Sequence, residues 1–85
     1  MKKINEDELI RIICLNIKKY RLLYSKNNKQ MTIEKLSKLT NLSPNYISNL
    51  ENQNTNTKIT ITTLYKIASI LDVPINNFLE KDNDK

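Results

Sequence analysis

The stretch from Ile33 to Asn52, IEKLSKLTNLSPNYISNLEN, restricts the possible folds more than any other part of the chain. It reads as two short helices broken by a tight turn. Leu36, Leu42, Ile47 and Leu50 fall where a two-helix corner needs apolar groups pointing inward. Ser37 is small where the second helix must pass close to the first. Asn41 stands at the turn, where the backbone needs positive φ. The chain has no glycine, and Asn is the next-best residue for that conformation. Ser43 and Pro44 then open a new helix, Ser as N-cap and Pro at the first helical position, where its missing N–H costs nothing.

Two helices joined in this way form a helix-turn-helix pattern. The segment resembles the phage-repressor and Cro-like (XRE-type) family, whose signature is carried here by Tyr46-Ile47-Ser48-Asn49-Leu50-Glu51. The resemblance runs from about Ile13 to Leu79. It is nearest to small repressors of the biofilm and sporulation type and to restriction–modification controller proteins. It implies an all-α, compact five-helix bundle of the lambda-repressor-like type that binds DNA, most often as a repressor and a homodimer, without a cofactor. In the family the Glu at position 51 pairs with an Arg at the end of the first helix, and Arg21 stands there. The family commonly dimerises through its last helix, which places Ile75, Phe78 and Leu79 at the interface. The family usually has a phosphate-gripping Gln where this chain has Ile33. That contact must then come from the backbone N–H at the helix start, from Thr32, or not at all.

The remaining segments read as further helices. Asn5 is an N-cap with Glu8 three residues on, and the acids Glu6, Asp7 and Glu8 suit the positive end of a helix dipole. This first helix is expected to run to about Ser25, with Leu9, Ile13, Ile17, Tyr20 and Tyr24 as its apolar stripe. Ile10, Ile12 and Leu23 widen the stripe, either for core packing or for a second contact with the C-terminal helix or another subunit. Thr32 caps a second helix to about Leu39, and the third runs from Pro44 to about Asn52. Thr60 caps a fourth, Ile61 to Leu71, with Leu64, Ile67, Ala68 and Leu71 inward. Asp72-Val73-Pro74 breaks it, and Ile75 to Leu79 is expected to form a fifth helix. Residues 1–85 are read as one domain, frayed at 1–4 and 80–85.

Charge and composition narrow the function. The acids gather near the ends, and between Leu9 and Leu79 ten Lys and Arg stand against Glu34, Glu51 and Asp72. A basic body suits a polyanion. Without Gly there is no phosphate-cradling loop or dinucleotide fingerprint. With no His and one Cys, a zinc site or a Cys/His nucleophile pair is excluded, and no enzyme is expected. Cys14, in an apolar run, reads as a small buried hydrophobe. No apolar run is long enough for a membrane span and no signal-peptide pattern opens the chain, so a cytoplasmic protein is expected.

The third helix is the expected recognition helix. Asn45, Tyr46, Ser48, Asn49 and Asn52 lie on its outward side, all able to hydrogen-bond and none charged. Pro44, Asn45, Tyr46 and Asn49 are expected at base edges, because Asn can pair bidentately with adenine and Pro offers an apolar face to a thymine methyl. Thr32, Ile33, Lys35, Ser43, Ser48, Asn52, Gln53, Asn54, Lys58 and Lys29 are expected along the phosphates. A monomer reading four or five base pairs specifies too little sequence, so two copies are expected on a roughly palindromic operator with half-sites ~34 Å apart. The first helix offers a second candidate face for dimerisation. With no ligand domain in view, control is expected from abundance, a partner protein or proteolysis. Two other readings stay open: an antitoxin or anti-repressor module that engages another regulator, and RNA binding, disfavoured because stacking aromatics on an open sheet are missing.

Overall fold

The computed structural model describes residues 5–27, 30–52 and 58–81. Four α-helices follow in order: α1 (Glu6–Asn27), α2 (Ile33–Thr40), α3 (Pro44–Glu51) and α4 (Ile61–Leu71). No strand occurs among the described residues. All four helices start by the same local device, a polar side chain that accepts the N–H three residues on. Asn5 Oδ1 accepts from Glu8 N at 2.8 Å, Thr32 Oγ1 from Lys35 N at 3.0 Å, Ser43 Oγ from Tyr46 N at 3.0 Å and Thr60 Oγ1 from Thr63 N at 3.1 Å.

Two helices also stop alike. Asn41 (φ 63°) ends α2 and Asp72 (φ 61°) ends α4, both left-handed. After each, the next N–H reaches back five residues: Leu42 N to Ser37 O at 3.2 Å and Val73 N to Ala68 O at 3.0 Å. This is the Schellman stop that most proteins build on glycine. At the α2–α3 corner, the Ser37 hydroxyl also donates to the Leu42 carbonyl.

The fifth element corrects the expected helix count. Ile75–Leu79 forms a 3₁₀ helix, not an α-helix. It is five residues long and starts straight after Pro74, and so short a segment favours tighter i→i+3 bonding. At residue 80, where fraying was expected to begin, the Glu80 carbonyl accepts a hydrogen bond from α1. Asn16, buried in the middle of α1, donates through Nδ2 to Phe78 O at 2.8 Å and to Glu80 O at 2.9 Å. The stretches 1–4 and 82–85 lie outside the described residues.

The core forms where the four α-helices and the 3₁₀ helix converge. Ile13, Ile17, Leu36, Ile47, Leu50, Leu64, Ile67, Leu71 and Phe78 are buried together, each fully buried one contributing roughly 1.5–3 kcal/mol. The Tyr20 ring packs on Phe78 with centroids 5.0 Å apart and planes tilted by 56°. Cys14, Met31 and Ala68 complete the cluster. Of the residues that widened the stripe of α1, Ile12 is buried, Ile10 packs on the core, and Leu23 is exposed. No helix among the described residues is long and apolar enough to cross a membrane.

Candidate nucleic-acid interface

The α2–α3 corner is held from behind by one ion pair. Arg21 Nε donates to Glu51 Oε2 at 2.7 Å and Nη2 to Glu51 Oε1 at 2.9 Å, a bidentate pair with its own geometric specificity. Arg21 Nη1 also donates to the Met31 carbonyl at 2.9 Å. Ser25 Oγ accepts from Met31 N at 2.8 Å, which closes the α1–α2 connection against the same point. The carboxylate of Glu51 is only 3% exposed. The only acid of α3 therefore faces the interior, and its outer surface carries no negative charge.

On that outer surface Asn45, Asn49 and Asn52 are exposed at spacings of four and three, which puts them in one stripe. The stripe covers about 10 Å of helix axis, comparable to about three base-pair steps at 3.4 Å each. Amides without neighbouring charge are selective there, because each offers a donor and an acceptor on one planar group. Pro44 is exposed beside them, and Ser48 is half-buried. Asn52 Nδ2 donates to Ser48 Oγ at 3.4 Å, so these two side chains are joined.

Tyr46 is placed differently from its neighbours. It is half-buried, packs against the core, and its hydroxyl donates to the Lys58 carbonyl at 2.6 Å. Its one phenolic proton is therefore engaged within the protein. Burial pushes the phenol upward in pKa, while a hydrogen bond with Thr63 pulls the other way.

The phosphate-side candidates divide by location. Thr32 and Ser43 are exposed and cap α2 and α3 through their oxygens, which leaves each O–H able to donate to an anion. Lys35 and Lys58 are exposed. Ile33 is half-buried against the core, so only its backbone N–H, at the N-terminal end of α2, suits a phosphate. Lys29, Gln53 and Asn54 lie outside the described residues.

The expected dimer patch changes. Phe78 is fully buried and packs against the Tyr20 ring, where apolar burial is favourable. It cannot reach a partner. Ile75 is half-buried and Leu79 exposed.

Sequence reasoning did not single out Asn16, Met31 or Ser25. Asn16 sits among Ile12, Ile13, Cys14 and Ile17, and the only signal was one amide inside an apolar run.

A family model described as helix-turn-helix, of the XRE and Cro/C1 type, matches residues 17–78. The chain belongs to this helix-turn-helix family. The family is one of DNA-binding transcription regulators, and α2 and α3 both lie within the matched residues. The match begins at Ile17 and leaves the first half of α1, Asn16 included, outside it. No curated protein gives a match to the chain.

Proposed function

We propose that the protein is a sequence-specific repressor that binds a roughly palindromic operator in the cytoplasm as a homodimer. The observation that carries this reading is the outward face of α3: three exposed amides in a stripe, with the helix's one carboxylate turned inward onto Arg21. Asn45 and Asn49 read base edges, with Pro44 against a thymine methyl. Thr32, Ser43, Lys35, Lys58 and the N–H of Ile33 hold phosphates. Two copies double the sequence read and mirror the two-fold symmetry of the site. Leu79 and Ile75 are the part of the last element that remains available for pairing.

Selection of bound sites from random DNA tests the reading. The wild-type protein should enrich a symmetric motif. Asn45→Ala and Asn49→Ala should each relax preference at one position per half-site, at a cost of about 1–3 kcal/mol. An unchanged motif in both variants would remove the base-reading assignment.

A second reading has one observation in its favour. Leu15 and Leu22 on α1 are 50% and 49% exposed, which suits a protein partner, as in an antitoxin or anti-repressor module. A pulldown set beside a DNA-shift assay separates the two: capture of a regulator with no DNA shift favours this second reading.

A further inference from the structure

The recognition helix has no cation of its own, and one exposed lysine is tethered to it. Between Lys38 and Lys66 the sequence holds a single basic residue, Lys58. The Tyr46 hydroxyl donates to the Lys58 backbone carbonyl at 2.6 Å, across twelve residues of sequence. Two residues on, Thr60, the N-cap of α4, donates from Oγ1 to Thr63 Oγ1 at 3.1 Å. The first turn of α3 is thus buckled to the start of α4, with Lys58 at the buckle. The Lys58 side chain itself is exposed.

We propose that Tyr46 is a positioning residue for DNA binding, which holds Lys58 beside α3 as that helix's phosphate anchor, and is not a reader of base edges. The inference rests on the DNA-binding reading above and assigns a role within it. A flexible ammonium far from its target loses affinity to the entropy of finding it, whereas a fixed backbone origin shortens that search. Phosphate contacts of this kind set register and carry no sequence information.

The test uses four full-length proteins: wild type, Tyr46→Phe, Lys58→Ala and the double variant. Tyr46→Phe keeps the ring and removes only the hydroxyl. Affinity for the selected operator is measured over a range of salt concentrations, and site selection is repeated for each protein. Tyr46→Phe and Lys58→Ala should each weaken binding by about fivefold. Lys58→Ala should lower the salt slope by about one, and Tyr46→Phe should lower it in part. The selected motif should be unchanged throughout, and the double variant should bind no worse than Lys58→Ala alone. Amide exchange in the free protein should speed up at Ile59 to Thr63 in Tyr46→Phe. A changed motif, additive losses, or unaltered exchange at those amides would overturn the inference while the DNA-binding reading stands. If wild type shifts no DNA, that reading falls and the inference with it.

Discussion

Glu51 shows how one side chain can have its role set by what surrounds it. On the surface of α3 its charge would repel a phosphate backbone. Turned inward, it fixes the angle of α3 through both oxygens on Arg21. Glu51→Ala should destabilise the fold by about 3–5 kcal/mol, because it strands a guanidinium with 12% of its side chain exposed. Replacing both partners with apolar residues should cost less, and urea unfolding of the single and double variants checks this. Cys14 gives a pH-dependent prediction. Burial pushes its thiol up, so the folded state holds that proton more tightly than the unfolded chain does. The stabilisation is complete below the unfolded thiol's pKa of about 8.5 and is lost as pH rises from there through the folded value. Unfolding midpoints should therefore fall over that window in the wild type, and by less in Cys14→Ala. The Arg21–Glu51 pair was legible only through family resemblance. The role of Asn16 was not legible beyond its being an amide in an apolar run, since its partners are backbone carbonyls more than sixty residues away that no local pattern marks.

Helices were legible where their signals are local. Each cap acts over three residues and each apolar stripe over a few turns, so the start of α4 at Ile61 and the turn at Asn41 follow from nearest neighbours. The last element was legible as a short helix from its apolar content, but not its 3₁₀ form, because Ile75 to Leu79 is too short for i→i+4 bonding to be decisive. Phe78 was misplaced for a different reason: an aromatic residue suits a core and an interface equally, and only the packing shows it buried. The left-handed stops supply the prediction at this scale. Asn41→Ala should destabilise by about 1 kcal/mol, since a Cβ in that conformation lacks the local hydrogen bonding an Asn side chain provides. Asn41→Gly should stay within about 0.5 kcal/mol of wild type, conformational relief offsetting the freer unfolded chain. Thermal melts of the two variants compare them directly.

At the scale of the whole molecule, a body with ten cations and three acids between Leu9 and Leu79 presents a surface whose attraction to DNA is largely counterion release. If a dimer neutralises about six to ten phosphates, affinity should fall by about 10³–10⁵ between about 50 and 200 mM salt. Fluorescence anisotropy on a labelled operator measures this, and a flat response would contradict docking through α2 and α3. The basic body was plain from composition. The way the bundle closes on itself was not, because it depends on contacts between distant segments.

That closure has a consequence for synthesis. Translation delivers α1 early, but the carbonyls that satisfy the amide of Asn16, and the ring that caps the bundle, arrive only with residues 78 to 80. Until then the amide of Asn16 must stay in contact with water, and the part of the α1 face that packs on the last element remains open. A chain that ends before Phe78 is therefore expected to be open and more protease-sensitive than the full-length protein, which limited proteolysis of the two would show.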